Sequence, residues 1–226
     1  MSKAEGKQVV SIDKKLAGII DHTLLKAEAT KDQIIKLCEE AIEYGFKAVC
    51  VNPYYVPLAG EHLKGKDIGV CTVIGFPLGA NHSGTKAYEA ERAVEAGASE
   101  LDMVLNIGAL KSGDYSRVKD DIQAVVKAAS GNLVKVILET GLLSQEEKLL
   151  AAKICFESGV DFLKTSTGFN SGARVEDVLL LKQAVPLKVK ASGGIKTRAQ
   201  AQELVKAGAD RIGTSSGINL VIQQKS

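Results

Sequence analysis

The amino-acid sequence predicts an α/β protein folded as a single (β/α)8 TIM barrel, and three observations support this fold. Four stretches align on a glycine: EYGFKAVCV, EAGASELDM, ESGVDFLKT and KAGADRIGT, and each joins an amphipathic helical pattern to a strand-like pattern. Four further strand-like runs lie before or between them, so strands and helices alternate and a parallel sheet is expected. Eight such units in 226 residues average roughly 28 residues each, near the short end for this barrel.

The eight strands are expected in a definite order along the chain. The odd-numbered strands correspond to the runs GIIDHTLL, IGVCTVIGFP, LVKVILET and LKVKASGG, and the even-numbered strands to the glycine repeat. Their centres lie near Ile20, Val51, Thr72, Met103, Ile137, Leu163, Val189 and Ile212. An open, doubly wound sheet is the alternative. That fold would not explain why the glycine repeat continues to the last strand.

Helix boundaries are also indicated. Three helix starts have capping-box spacing, in which Ser or Thr precedes Glu or Gln by three residues. The pairs are Thr30 with Gln33, Ser144 with Glu147, and Thr197 with Gln200. The repeat glycines suit the left-handed conformation that commonly ends a helix. They are Gly45, Gly97, Gly159 and Gly208.

The composition predicts one domain over residues 1–226, with residues 1–17 as a leader or short helix and residues 218–226 as a C-terminal tail. A net charge of only +2 gives no support for binding to nucleic acid or an acidic membrane. No apolar run reaches membrane-spanning length, and the N-terminus lacks the apolar core of a signal peptide. The four cysteines form no C-x-x-C pair, which favours reduced thiols in a cytoplasmic protein over disulfides or a metal site.

The glycine repeat also predicts part of the barrel interior. The residue five positions after each repeat glycine falls on an even-numbered strand, and alternate strands of such a barrel contribute one layer of side chains. The predicted layer contains Cys50, Asp102, Lys164 and Gly213. A lysine that faces an aspartate, with a glycine leaving space, is unusual where bulky branched residues are expected.

Five charged residues interrupt apolar strands near their carboxyl ends, where the active sites of such barrels form. They are Asp21, Asp102, Lys135, Lys164 and Lys190. A structural ion pair between Lys164 and Asp102 is the alternative, yet buried pairs of this kind are often no more stabilising than apolar residues. The convergence of five charges therefore favours a functional cluster.

A buried lysine in such a cluster suits nucleophilic catalysis. A free lysine has a pKa of about 10.4, so only about 1 in 2,500 amines is neutral at pH 7. A neighbouring cation such as Lys190 or Lys135 favours the neutral amine. A neutral amine attacks a carbonyl to form a Schiff base, whose protonated form accepts electrons and so allows a C–C bond to break without a metal. Lys164 as nucleophile and Asp102 as acid and base therefore predict a metal-independent aldolase.

Two glycine-rich segments predict where a phosphate binds. SGGIKT follows the seventh strand and GTSSGI follows the eighth, and the loops at these positions often bind phosphate in such barrels. Tight turns alone would also explain the glycines, but their occurrence after both strands favours a phosphate site. The candidate residues are Gly168, Gly193, Gly194, Ser215 and Ser216.

Several segments together resemble the deoxyribose-phosphate aldolase family: IDHTLL, AVCVNP, GFPLG, LDMVLNIG, VKVILETG, FLKTSTGF, KASGGI and GTSSG. The resemblance implies a class I aldolase that needs no cofactor and reversibly cleaves 2-deoxy-D-ribose 5-phosphate to D-glyceraldehyde 3-phosphate and acetaldehyde. It implies that Lys164 forms the Schiff base, that Lys190 and Asp102 exchange protons, and that Asp21 and Lys135 support them. Members are often dimers, so a homodimer is one expected assembly.

The sequence departs from some relatives, and two other functions stay open. Phe169 stands where some relatives carry a lysine, and the chain ends in NLVIQQKS without the tyrosine that some relatives use. A phosphosugar isomerase or epimerase would use Asp102 as a base and Lys164 only as an anchor. A non-enzymatic barrel would bind the phosphosugar without consuming it. Neither alternative would form a covalent adduct with acetaldehyde.

Overall fold

The computed structural model describes residues 10–224, in which strands and helices alternate. The strands are β1 (Val10–Ile12), β2 (Ile20–Leu24), β3 (Ala48–Val51), β4 (Gly69–Ile74), β5 (Glu100–Val104), β6 (Leu133–Ile137), β7 (Phe162–Lys164), β8 (Lys188–Ser192), β9 (Arg211–Thr214) and β10 (Ile222–Gln224). The helices are α1 (Lys14–Ala17), α2 (Lys31–Tyr44), α3 (Val56–His62), α4 (Ser83–Glu95), α5 (Ile107–Lys111), α6 (Tyr115–Ala128), α7 (Gln145–Glu157), α8 (Val175–Ala184), α9 (Arg198–Lys206) and α10 (Gly217–Val221).

Strands β2 to β9 form one closed parallel barrel. Each pairs with the next in the chain, and β9 pairs with β2 to close the sheet. All eight predicted strand centres lie within these eight strands. The predicted (β/α)8 barrel is thus confirmed.

The helix boundaries follow the local sequence signals. Helices α2, α7 and α9 begin with the predicted capping boxes, in which the side chains of the first and fourth residues each accept a backbone N–H. The four repeat glycines have φ angles of 73°, 105°, 79° and 106°, a region that costs glycine little and other residues much more. Each glycine therefore ends a helix and directs the chain into the next barrel strand, which is β3, β5, β7 or β9.

The apolar core lies between the barrel and its helices. Because side chains alternate across a strand, Leu101 and Met103 on β5 face outward while Asp102 faces the barrel interior. On the helical side, Ile34 and Leu37 of α2 are buried in the same core. Burial of each such side chain contributes about 1.5–3 kcal/mol. The outer core therefore holds the barrel closed and leaves its interior free for polar residues.

The two ends of the described chain pair with each other. Strand β1 runs antiparallel to β10, with Ser11 opposite Gln223. The N-terminal cap of α1, Asp13, also forms an ion pair with Arg198 of α9. Of the predicted leader and tail, residues 1–9 and 225–226 lie outside the described residues. Among residues 10–224, no helix combines the length and apolar character needed to cross a membrane.

Candidate active site

Seven charged side chains are buried inside the barrel, which is far more charge than a packed interior ordinarily holds. Six strands supply them, and none is more than 7% exposed. They are Asp21 on β2, Glu100 and Asp102 on β5, Lys135 on β6, Lys164 on β7, Lys190 on β8, and Arg211 on β9. We call these seven residues the interior charge cluster.

Asp102 lies at the centre of the interior charge cluster. Its Oδ2 atom accepts hydrogen bonds from Lys164 Nζ and Lys190 Nζ, both at 2.8 Å, and its Oδ1 atom accepts one from Lys135 Nζ, also at 2.8 Å. Burial alone would raise the pKa of Asp102, but the three lysines outweigh burial and hold that pKa well below its ordinary value. One carboxylate therefore connects all three lysines.

The remaining carboxylates hold the other cations in place. Asp21 forms ion pairs with Lys190 and Arg211, and Glu100 lies 2.6 Å from Lys135 and 3.0 Å from Arg211. Burial favours the neutral form of Lys190, but Asp102 and Asp21 outweigh it and raise the pKa of Lys190 well above its ordinary value. Lys190 therefore carries a positive charge beside Asp102 before the reaction begins.

The predicted layer of Cys50, Asp102, Lys164 and Gly213 lies inside the barrel, and its glycine leaves space as expected. A Cβ atom on Gly213 would lie 2.9 Å from Lys190 Cε, so a larger residue would displace that lysine. Cys50 packs with Cys71, whose Sγ atom lies 3.1 Å from Asp102 Oδ1. Burial raises the pKa of Cys71 well above its ordinary value, so it stays a neutral thiol.

A cavity of about 610 Å³ lies where the strands end, and one member of the interior charge cluster lines it. That member is Lys164, whose side chain is 3% exposed. Lys135 and Lys190 are 0% exposed and lie deeper in the barrel. Of the three lysines in the interior charge cluster, Lys164 is thus the one that a molecule in the cavity can reach.

Four of the five predicted phosphate-binding residues line this cavity: Gly168, Gly193, Gly194 and Ser215. Ser216 does not line it, and its backbone N–H donates to Thr214 Oγ1. Two lysines that the sequence analysis missed, Lys26 and Lys196, also line it. Lys196 lies two residues after Gly194, so a search for basic residues beside the glycine pair would have found it.

The cavity also has an apolar edge. Phe169 lines the cavity, and its ring meets that of Phe76 edge to face, with the ring centres 5.2 Å apart. Phe169 is 60% exposed and carries no charge. Besides Lys164, the basic residues that line this cavity are Lys26 and Lys196.

The sequence analysis also missed Glu100 and Arg211, although the glycine repeat contains the signal for both. Each lies three residues after a repeat glycine, two residues before a member of the predicted layer. Because side chains alternate along a strand, residues two apart face the same side. Counting three residues as well as five from Gly97 and Gly208 would have placed both inside the barrel.

Comparisons with known proteins identify the family. A sequence model described as "DeoC/LacD family aldolase" matches residues 15–222. The deoxyribose-phosphate aldolase of Clostridium kluyveri is 57% identical over 212 residues, which cover 92% of this chain and 97% of that protein. That of Thermococcus gammatolerans is 58% identical over 213 residues, covering 91% and 95%.

A solved structure has the same fold. The deoxyribose phosphate aldolase of Aeropyrum pernix, described as tetrameric, is 36% identical and covers 92% of this chain and 89% of its own, with a TM-score of 0.86. These matches confirm the resemblance drawn from the short sequence segments. The chain therefore belongs to the DeoC/LacD family of aldolases.

Proposed function

We propose that this aldolase reversibly cleaves 2-deoxy-D-ribose 5-phosphate to D-glyceraldehyde 3-phosphate and acetaldehyde through a Schiff base on Lys164. The observation that carries the proposal is the position of Lys164, which lines the cavity while its Nζ atom lies 2.8 Å from Asp102 Oδ2. The names of the relatives at 57–58% identity support the same substrate.

The charge balance of the interior cluster sets Lys164 apart from the other three cations. The cluster contains four cationic side chains but three carboxylates, so full ionisation leaves one positive charge without a buried partner. An uncompensated buried charge is costly, and loss of one proton removes it. Lys135, Lys190 and Arg211 each form ion pairs with at least two carboxylates, whereas Lys164 forms one, with Asp102. Lys164 is therefore the cation of the cluster with the fewest carboxylate partners, and it is the one that lines the cavity.

The reaction begins when the neutral Lys164 amine attacks the C1 aldehyde of the open-chain sugar. Lys190 and Asp102 deliver one proton to the resulting carbinolamine through a water molecule, and loss of water gives an iminium ion. Asp102, acting through a water molecule, accepts the proton of the C3 hydroxyl, and the C2–C3 electron pair moves toward the iminium nitrogen. Glyceraldehyde 3-phosphate leaves, Asp102 returns its proton to C2 of the enamine, and water releases acetaldehyde, the free amine and the proton taken up in the first step.

The other charged residues support these steps. Lys190 shares Asp102 Oδ2 with Lys164, so a proton can pass between Lys190 and the reacting groups through that oxygen. Lys135 and Asp21 hold Asp102 and Lys190 in position. The iminium ion is itself the electron acceptor, so the chemistry needs neither metal nor cofactor.

The substrate phosphate binds beside Gly168, Gly193, Gly194 and Ser215, where Lys26 and Lys196 supply positive charge. Backbone N–H groups of glycine-rich loops suit anions because no side chain blocks their approach.

We further propose a cytoplasmic location, on the basis of the four buried free thiols, and a homodimer as the assembly.

The proposal is tested by incubating the purified protein with 2-deoxy-D-ribose 5-phosphate and measuring both products. Equal amounts of acetaldehyde and glyceraldehyde 3-phosphate are expected. Conversion to an isomeric phosphosugar without acetaldehyde would instead support the isomerase alternative. Binding without any product would support the non-enzymatic one.

The role of Lys190 gives a prediction about pH dependence. Lys190→Met leaves three cations for three carboxylates, so an added proton no longer gives the cluster an uncompensated charge and the acid limb of the kcat/KM profile should move to higher pH. A shift of one pH unit corresponds to about a tenfold loss at pH values below that limb. The measurement is the pH–rate profile of wild type and variant.

The double variant Lys190→Met/Asp21→Asn is the matched control, because it restores one excess cation. Its acid limb should move back toward the wild-type pH. An acid limb that stays in place in Lys190→Met, or that moves equally in both variants, would contradict the charge-balance argument.

A further inference from the structure

Glu139 occupies an unusual position at the end of a barrel strand. It lies two residues after β6, is 1% exposed, and has φ 42° and ψ 62°. Within residues 10–224, Ser130 is the only other non-glycine residue with a positive φ. Such a conformation costs of order 1–3 kcal/mol and persists where the surrounding structure requires it.

The carboxylate of Glu139 receives four donors from the segment that follows β7. The backbone N–H and the hydroxyl of Thr167 both donate to Oε2, the N–H at 3.3 Å, and Asn170 Nδ2 donates to the same atom at 3.4 Å. Ser171 Oγ donates to Oε1 at 3.1 Å. An ionised carboxylate only accepts hydrogen bonds, so it suits four convergent donors. Glu139 thereby fixes the course of residues 166–172.

The segment held by Glu139 supports the glycine pair after β8. Ser192 Oγ donates to the carbonyl of Ser166 at 2.6 Å, and the N–H of Ala173 donates to the carbonyl of Gly193 at 2.9 Å. The contact is close, because a Cβ atom on Gly193 would lie 2.7 Å from the Ser171 carbonyl oxygen. A change in residues 166–172 would therefore displace Gly193.

Both segments line the cavity, as does Lys196, whereas Glu139 does not line it. The carboxylate of Glu139 accepts hydrogen bonds from the four donors and does not face a ligand in the cavity. We propose that Glu139 is a positioning residue for phosphate recognition. It holds residues 166–172 in place, and these residues in turn hold Gly193, so that the backbone of both segments faces the substrate phosphate. This inference rests on the proposed function, because it concerns the phosphate end of the same site.

Glu139→Gln tests the role with little change in size. The amide group of glutamine is itself a donor and would face Thr167, Asn170 or Ser171, so the segment should shift. We expect KM for 2-deoxy-D-ribose 5-phosphate to rise about tenfold while kcat changes less than threefold. This pattern results when an interaction that is equally strong in the ground state and the transition state is lost. For unphosphorylated 2-deoxyribose, kcat/KM should stay within about twofold of wild type.

A matched control is Glu146→Gln, which makes the same change at an exposed position at the start of α7. This variant should match wild type with both substrates. Ser171→Ala removes one donor to Glu139 and should raise KM for the phosphorylated sugar in the same direction by a smaller factor. It tests the proposal independently if Glu139→Gln does not fold. An equal loss with both sugars, or an unchanged KM for the phosphorylated one, would overturn the proposal.

Binding of inorganic phosphate separates this inference from the proposed reaction. Its Kd, measured by calorimetry, should rise in Glu139→Gln and stay unchanged in Glu146→Gln. If the Kd for phosphate changes as expected but the protein does not cleave the sugar, the proposed function is wrong and the positioning role of Glu139 stands. Equal phosphate affinity in wild type and Glu139→Gln would count against the positioning role alone.

Discussion

Replacing Lys164 with leucine is expected to abolish turnover, with kcat for 2-deoxy-D-ribose 5-phosphate falling by at least about 10⁴-fold. The leucine side chain cannot form the covalent intermediate. Folding should be preserved, because the three remaining cations of the interior charge cluster match its three carboxylates. The measurement is the cleavage rate, together with the denaturant midpoint of the purified variant.

The control is Lys64→Leu, which makes the same change at an exposed lysine outside the barrel strands. Its turnover should equal that of wild type. A folded Lys164→Leu enzyme that keeps more than a tenth of wild-type turnover would rule out Lys164 as the nucleophile and favour a role as an electrostatic anchor.

Replacing Asp102 with asparagine is expected to reduce both activity and stability. The change removes the proposed acid and base and leaves three lysines without their shared carboxylate, so kcat should fall by about 10³-fold or more. Loss of one partner from a buried ion pair typically costs about 3–5 kcal/mol of unfolding free energy. The two measurements are kcat and the free energy of unfolding in urea at pH 7.

The pH dependence of stability provides a separate check on Asp102. Its pKa is lowered in the folded protein, so the stabilisation from its ionised form is complete above the unfolded value, about 3.9, and is lost as the pH falls toward the folded value. Wild type should therefore lose more stability than Asp102→Asn between pH 5 and pH 3.

Asp120→Asn, an exposed aspartate of α6, should behave like wild type in both experiments. Equal losses of stability in wild type and Asp102→Asn on acidification would contradict the assigned charge state of Asp102. Unchanged kcat in Asp102→Asn would remove it from the proposed proton transfer.

The sequence was sufficient to predict the barrel and the meeting of Lys164 with Asp102 inside it, because both leave local patterns. The glycine repeat marks where helices end, and charges such as Lys164 and Asp102 stand out within apolar strands. Glu100 and Arg211 were missed because each begins a strand, where a polar residue is ordinary. Only closure of the barrel brings them to the same interior.

Other features depend on contacts between distant parts of the chain. The pairing of β1 with β10 joins residues more than 200 positions apart, and nothing in either short segment indicates the other. Glu139 follows an apolar strand and resembles an ordinary loop glutamate in the sequence. Its burial and its four donors appear only when residues 166–172 fold over it.

The most direct test of the central claim is to treat the enzyme with acetaldehyde and sodium borohydride and to locate the product by mass spectrometry. A reactive amine at Lys164 predicts one added ethyl group per chain, found on the peptide that contains this lysine and absent from Lys164→Leu. An unmodified chain, or an ethyl group on a different lysine, would contradict a Schiff base at Lys164.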